Sequence, residues 1–447
     1  MKLYNQITKN VAEFVPQDPN NIKIYTCGPT VYSYAHIGNF SSYIYWDLLV
    51  RTLSLNGYQV NRVLNLTDVG HLSSDADEGE DKLEKGAKRE GKTVWEIADK
   101  YITAFLKDFR ALNLTEPTKI ARATDYIEAD IALVKKLIDK GYTYETSDGI
   151  YYDTSKFEKY ADFARLNLEK LKAGARVEFN SEKRNASDFA VWKYIKPGED
   201  HAMQWEFNGK MGYPGWHLEC STIIHEELGE PIDIHTGGID HIPIHHTNEI
   251  AQSEAAFDEK LSHYWLHCNF ITIDGQKVSK SLGNIYTLDD LREKGYSPYD
   301  FKLWVLQGHY RSDRNFSFED LNAAKNRRLN WRNRVAESYQ KDLSSSFIKE
   351  TALSFVNNDL NSAELMAYID DNTLSLDDWR FIDQLLGLDL LKTSPDLTDE
   401  LKEQIKAREN ARRAGDYATA DALREKLAEN KITVLDTENG PIWQYLA

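Results

Sequence analysis

Cysteine, histidine and glutamate recur in the sequence at spacings that suit a metal ion. His245 and Glu249 stand four apart within HHTNEIAQSEAA, a run of helix formers without interior proline or glycine. That spacing points both side chains along one face of a helix. Cys220 lies upstream, and thiolate, imidazole and carboxylate are all good zinc ligands. Cys27 ends an expected strand and can join them in a site built on a sheet. The same stretch carries His225, His235, His241 and His246, and spacing alone does not choose among the histidines. Cys268, inside the apolar run YWLHCNF, reads as a small buried hydrophobe.

Two short motifs suit phosphate. His36-Ile37-Gly38-Asn39 falls just after the first strand-like segment and ahead of a helix. Gly38 lets a nucleotide approach the backbone, His36 can donate to phosphate oxygens, and the helix N-terminus favours an anion. The second is Lys277-Val278-Ser279-Lys280-Ser281, followed by Leu-Gly-Asn. Two lysines three residues apart on a glycine-flanked loop suit the charge that builds on a transferring phosphate.

The elements that must position these residues follow from hydrophobic spacing. Residues 22–25, 60–66 and 231–234 read as buried strands, each running into a loop rich in Gly, His, Asp or Lys. Residues 40–57 and 94–112 carry apolar residues at helical spacing. The alternation predicts an α/β protein with a Rossmann-like, doubly wound parallel sheet, whose ligands bind at the carboxyl ends of the strands. The expected divisions are a first half of the catalytic domain over 1–117, an inserted subdomain over 118–205, and a second half over 206–298. A helical domain over 299–392 and a small α+β unit over 393–447 complete the scheme. In that last unit Leu401, Ile405 and Ala411 share a helix face. Gly415-Asp416 stops one helix and caps the next, and 432–435 with 442–446 form a hairpin. Residues 70–92 are a charged, glycine-containing stretch that reads as a solvated loop or helix end.

The chain has 447 residues, which at about 150 residues per domain allows about three domains. No apolar run approaches the roughly 20 residues of a membrane span, and the first residues lack a signal peptide's pattern. Three scattered cysteines do not make a disulfide framework, so a reducing, cytoplasmic setting is expected. With 54 basic and 71 acidic residues the net charge is −17, which taken alone argues against a nucleic-acid partner. Local patches can outvote that sum, because screening confines exposed charges to about 10 Å. Lys325, Arg327, Arg328, Arg332 and Arg334 cluster, as do Lys406, Arg408, Arg412 and Arg413.

These motifs together resemble the class I aminoacyl-tRNA synthetases, and among them the cysteine–tRNA ligases, from about residue 20 to the end. YTCGPTVYSYAHIGN resembles the first family signature, with HIGN for HIGH, and KVSKS stands for KMSKS. GWHLECS, DIHTGGIDHIPIHHTNEIAQSEA, RSDRNFSFEDL and ARRAGDYATADALREKL resemble its later parts. The resemblance implies one zinc ion per chain held by Cys27, Cys220, His245 and Glu249, leaving out His246 and Cys268. It implies that Thr30, Trp216, His235 and Asp240 lie near the cysteine substrate. It further implies that His36, Gly38, Asn39, Lys277, Ser279 and Lys280 handle ATP with its magnesium, catalysis resting on His36, Asn39, Lys277 and Lys280. The partners would be L-cysteine, ATP and tRNA(Cys), with no membrane, and the chain would be a monomer.

The sequence departs from the family pattern at Asn39, which cannot carry the charge of a second histidine, and at Val278. An acidic segment over 72–81 is longer than usual. Two rival readings are a cysteine:amino-sugar ligase, which shares the chemistry but lacks the C-terminal unit, and a silent zinc protein. The helix–helix–hairpin pattern of 398–447, with Trp443 and several arginines for RNA contacts, opposes the first. Retention of both nucleotide motifs opposes the second.

Overall fold

The computed structural model describes residues 1–70, 82–166, 182–196, 198, 201–278, 283–341, 343–438 and 440–446, without the side chains of Lys82 and Lys277. A hairpin of β1 (Lys2–Asn5) and β2 (Asn10–Glu13) precedes β3 (Ile22–Thr26). Helix α1 (Ile37–Leu55) leads to β4 (Val60–Leu66), and α2 (Lys82–Glu90) and α3 (Val94–Ala111) lead to β5 (Lys119–Arg122). After α4 (Ile127–Asp139) come β6 (Thr143–Thr146), β7 (Gly149–Tyr152), β8 (Phe189–Tyr194), β9 (Trp205–Phe207) and β10 (Lys210–Pro214). Helix α5 (Trp216–Glu227), β11 (Ile232–Gly238), α6 (Thr247–Phe257) and β12 (Ser262–Cys268) then return the chain to the first sheet.

That sheet is parallel throughout, in the order β12-β11-β3-β4-β5. Most residues of β3, β4, β11 and β12 are buried because both faces are covered, with polar residues such as Asn65, Asp233 and His235 standing among the apolar ones. Ile24, Leu64 and Leu266 join the large core under α1, whereas Tyr25, Val63 and Trp265 pack on the opposite face with Ile223 and Ile224 of α5. Successive residues of a strand thus feed two cores, as the period of two requires. Helices on both faces of a parallel sheet are the expected α/β arrangement.

The second sheet is antiparallel, in the order β6-β7-β8-β10-β9. β5, just past the expected border at 117/118, hydrogen-bonds to β4 in the parallel sheet. The antiparallel sheet runs past 205 to Pro214.

β11 is longer than the sequence suggests, continuing through His235 and Thr236 to Gly237 and Gly238, where a loop was expected. Side chains fold over it there: a Cβ on Gly237 would meet His246 at 2.7 Å, and one on Gly238 would meet Asp240 at 2.3 Å. The two glycines keep the strand extended beneath these groups.

Beyond β12, the small strands β13 (Ile271–Ile273) and β14 (Gln276–Lys277) and helices α7 (Leu288–Glu293) and α8 (Pro298–Leu306) lead to β15 (Arg314–Phe316). A helical region follows: α9 (Phe318–Gln340), α10 (Lys349–Val356), α11 (Ser362–Asp371), α12 (Leu376–Leu386) and α13 (Leu390–Thr393). The end of the chain forms α14 (Asp399–Arg413), α15 (Tyr417–Glu429) and the hairpin β16 (Ile432–Thr437) and β17 (Gly440–Tyr445). Gly415, with φ 76°, turns the chain between α14 and α15, and the Asp416 side chain caps α15 through the Thr419 amide.

Helix α1 is tied to the helical region by a buried polar cluster. Asp47 accepts from Lys302 at 2.9 Å, from Arg51 at 2.8 Å, and from the Thr115 amide and hydroxyl at 2.7 Å each. Lys302 also donates to the carbonyls of Leu112, Asn113 and Gly387 at 3.0, 3.1 and 3.2 Å. No described helix is long and apolar enough to cross a membrane.

Candidate metal centre and nucleotide loops

Three elements converge at the carboxyl end of the central strand. β3 delivers Cys27, the residue after its end, with the Cys27 amide bonded to the Thr236 carbonyl at 3.1 Å. The second turn of α5 brings Cys220. His245 and Glu249 arrive from the segment after β11. They do not share one α-helix as the four-residue spacing suggests: Ile242–His246 is a π-helical turn, and Glu249 lies in α6. The wider turn still leaves His245 Nε2 3.0 Å from Glu249 Oε1. Cys220 Sγ is 3.5 Å from the same nitrogen. The donor atoms of Cys27, Cys220, His245 and Glu249 all lie within 4.8 Å of one another, and all four residues are buried.

The set suits a metal ion. Tetrahedral sites built on bonds of about 2.0–2.3 Å place their donors about 3.3–3.8 Å apart, close to the separations found. Glu249 Oε1 is buried and makes no hydrogen bond, its nearest polar neighbour being His245 Nε2 at 3.0 Å, an arrangement costly for a carboxylate oxygen unless a cation sits between them. Burial, together with the Cys220 thiol, raises the Cys27 pKa well above its ordinary value. At Cys220 the hydrogen bond with Cys27 lowers the pKa, but burial and the Glu249 charge leave it raised. Without a cation both cysteines stay thiols; a bound metal would favour the thiolates.

Other histidines surround the cluster. His217 Nδ1 lies 2.8 Å from His245 Nδ1 and so turns the other ring nitrogen toward Cys220 and Glu249. His246 Nε2 is 3.4 Å from Cys27 Sγ, and Cys27, His235, His246 and Glu249 make a second group within 4.8 Å. The geometry therefore keeps His246, which the resemblance leaves out, beside the donors. His246 Nδ1 meets His267 Nε2 at 2.8 Å, and burial pushes both histidines well below the ordinary value, so both rings are neutral. His217 and His267 went unremarked in the sequence; the signal for His217 was its place in GWHLEC. Cys268 is buried beside Ser42 at 2.8 Å, apart from the cluster.

The expected substrate residues scatter around this centre. Thr30 and Trp216 line one small cavity with Tyr32, Thr67, Val69 and Leu83, and the Trp216 ring is 5.4 Å from that of His245. His235 is fully buried, stacked on Trp265 at 4.4 Å, and its Nε2 meets Glu249 Oε2 at 2.7 Å. It braces the carboxylate. Asp240 lies exposed on the short 3-10 turn after β11.

His36 is the N-cap of α1, accepting from the Gly38 amide at 3.1 Å, while Asn39 Oδ1 accepts from the His36 amide at 3.0 Å. Asn39 thereby completes a capping box. Lys277 ends β14; Ser279, Lys280 and Ser281 lie outside the described residues, as does the acidic segment 72–81. The Ile37 amide donates to the Tyr286 carbonyl at 2.8 Å, so the chain leaving the second motif returns to the start of α1. At the strand edge the Gly28 amide donates to Asn65 Oδ1 at 2.7 Å, and a Cβ at Gly28 would lie 1.5 Å from the Asn65 carbonyl oxygen.

The residues of the C-terminal half expected to contact RNA divide between buried and exposed positions. Trp443 is buried in the core of the terminal unit. Arg328 pairs with Asp300 at 2.6 Å, Arg327 with Asp370 at 2.5 Å, and Arg408 forks onto Asp436 at 2.6 and 2.9 Å. Arg412 and Arg413 both hold Glu409. Trp443, Arg328 and Arg408 are thus built into the fold, whereas Arg412 and Arg413 share the single Glu409 carboxylate and the Arg413 side chain is 69% exposed.

Residues 13–326 match the model of the tRNA synthetases class I (C) catalytic domain, and 394–443 that of the cysteinyl-tRNA ligase anticodon binding domain. The parallel sheet with helices on both faces and a donor cluster at its carboxyl edge is here the catalytic domain of a class I aminoacyl-tRNA synthetase. The cysteine–tRNA ligase of Treponema denticola is 47% identical, covering 82% of this chain and 74% of that protein. Cysteine–tRNA ligase 1 of Burkholderia lata is 41% identical, covering 98% and 96%. The chain belongs to the cysteine–tRNA ligase family. Mycobacterium tuberculosis methionyl-tRNA synthetase in complex with methionyl-adenylate shares the fold at a TM-score of 0.59, with 14% identity over 91% of this chain and 88% of that one.

Proposed function

We propose that this chain activates L-cysteine with ATP and transfers it to the 3′ end of tRNA(Cys), with zinc in the Cys27, Cys220, His245 and Glu249 cluster recognising the substrate thiol. The observation that carries the reading is the convergence of these four buried donors beside the cavity lined by Thr30 and Trp216. When bound, zinc supplies a thiophilic Lewis acid that holds a thiolate and has little affinity for a serine hydroxyl. Shape alone discriminates such near-isosteres poorly, and with this recognition editing is unnecessary.

The protein's own groups do the rest by positioning and charge. Trp216 and Thr30 wall the amino-acid cavity, and His217 and His235 fix the rings and carboxylate of the cluster. Asp240, exposed on the turn after β11, attracts the substrate ammonium in this reading. His36 and the capped start of α1 face the ATP phosphates, a helix N-terminus being a natural anion site. Lys277 and Lys280 neutralise the charge that develops as the cysteine carboxylate attacks the α-phosphate and pyrophosphate leaves. Magnesium accompanies the ATP. The adenylate is then consumed by the terminal ribose hydroxyl of the tRNA, and no side-chain nucleophile is required.

Cysteine-dependent ATP–pyrophosphate exchange tests this reading, with serine as the control and zinc measured by atomic emission. Exchange with cysteine alone, lost on chelation and restored by zinc, is the expected result. Exchange that survives metal removal, or that serine supports equally, overturns the role given to zinc.

A further inference from the structure

Helix α2 separates two concavities. Leu83, in its first turn, lines the cavity of Thr30 and Trp216. Its neighbours Glu84, Ala87 and Lys88 line an open groove of about 560 Å³, with Lys92, Trp95 and Ala202 on the other walls. The groove thus adjoins the amino-acid cavity across a single helical turn.

Three features of the groove go together. The first is charge: Lys88 and Lys92 line the groove, and the acids beside them are Glu84 on its wall and Glu90 on the same helix. Both acids are already engaged. Glu84 accepts from the Ala202 amide at 3.0 Å, and Glu90 accepts from Lys100 at 2.7 Å and from the Tyr101 hydroxyl at 3.1 Å. Lys85, Lys88, Arg89 and Lys92 are exposed, with Arg89 and Lys92 lying 3.3 and 4.0 Å from Glu90. The second is an aromatic surface, since Trp95 lies at the start of α3 yet is 43% exposed. The third is rigidity. A capping box joins Thr93 and Glu96, and the bonds from Glu90 to α3 hold α2 in place, so the walls are fixed before anything binds.

We infer that this groove receives the single-stranded 3′ end of the tRNA, one base stacking on Trp95 and the backbone phosphates lying against Lys88 and Lys92. A positive groove with an exposed aromatic ring is the usual platform for unpaired nucleotides, because every base has a face to stack. The location fits: a strand seated here reaches the activated carboxyl by crossing one turn of α2. The inference rests on the function proposed above and assigns to it a path for the RNA that neither nucleotide motif supplies.

The test uses the full chain with Trp95→Ala, Trp95→Phe and the double variant Lys88→Glu/Lys92→Glu. Cysteine-dependent pyrophosphate exchange, tRNA charging, and binding of intact tRNA against tRNA trimmed of its unpaired 3′ nucleotides are measured in parallel. Exchange is expected to hold at the wild-type level. For Trp95→Ala and the double variant, kcat/KM for charging should fall about tenfold or more, with Trp95→Phe keeping most of its activity. Trimmed tRNA should bind these variants and the wild type alike. Unchanged charging overturns the inference, as does an equal loss of binding for intact and trimmed tRNA, which would move the contact to the duplex. A parallel loss of exchange also overturns it, since the groove would then serve the amino-acid cavity or the fold. Absence of exchange in the wild type would refute the proposed function instead, and the two binding measurements would still decide the groove.

Discussion

Replacing Lys302 with methionine should destabilise the protein by about 3–4 kcal/mol. Lys302 is fully buried, and the change leaves Asp47 with Arg51 and the two Thr115 donors while removing its second cation. Breaking a buried ion pair from one side costs about 3–5 kcal/mol; retention of Arg51 places this case toward the lower end, and three carbonyls losing a donor offset part of that relief. Burial pushes both groups toward neutrality, Lys302 down to about 8 and Asp47 up. At Asp47 the charges of Lys302 and Arg51 outweigh burial and hold its carboxyl well below the usual range. The carboxylate therefore sets the pH dependence on the acid side: its contribution is present above the unfolded value and is lost as pH falls through the folded one. Urea unfolding followed by tryptophan fluorescence, at pH 7 and along an acid series, measures both effects. Lys302→Met should lower the urea midpoint and move acid unfolding to higher pH, and Asp47→Asn combined with it should recover part of the loss. A cost below about 1 kcal/mol with an unmoved acid limb would refute the reasoning.

Glu249→Gln should purify with far less than one zinc per chain while Cys268→Ser keeps its metal, as read by atomic emission. Asn39→Ala removes the acceptor for the His36 amide; it should cost about 1 kcal/mol of stability and raise the KM for ATP severalfold in pyrophosphate exchange. Asp383 is raised by burial to about 6 although the Leu391 and Leu390 amides oppose the rise. A raised folded value stabilises at pH below the unfolded one and loses that contribution as pH climbs to 6, a difference of up to about 3 kcal/mol. Thermal melts of Asp383→Asn and the wild type at about pH 4, near the unfolded value, and about pH 7, above the folded one, should show a smaller pH dependence in the variant.

Three of the sheet's five strands, β3, β4 and β11, were legible from their Ile, Val and Leu residues running into polar loops, whereas Lys-Ile-Ala-Arg of β5 and the His- and Ser-containing β12 carry no such pattern. α1 and α3 likewise announced themselves by spacing. The four donors could be singled out by type but not chosen from the surrounding histidines, because the choice depends on which rings the sheet brings together. What spacing could not convey was partnership. Arg408 and Arg328 look like RNA contacts until Asp436 and Asp300 are seen to neutralise them, and Trp443 looks available until its hairpin closes over a core. Pairings of this kind join residues far apart in the chain, and a local count of charge has no access to them. The extension of β11 was hidden for a related reason: glycines usually mark a loop, and here they mark a strand lying under histidines.

The π turn at Ile242–His246 makes the centre sensitive to insertion and deletion in a way that substitution scanning would not reveal. Such a turn holds one residue more than an α-helical turn. Removing any one residue from 242–244 would let the turn tighten to α-helical geometry, and His245 would leave the place between Cys220 and Glu249 that the wider turn gives it. Every donor would survive in the sequence and the cluster would still be lost. Homologues can therefore exchange side chains here more readily than they can change the length of the loop, and alignments of the family should be gapless between Gly238 and Glu249.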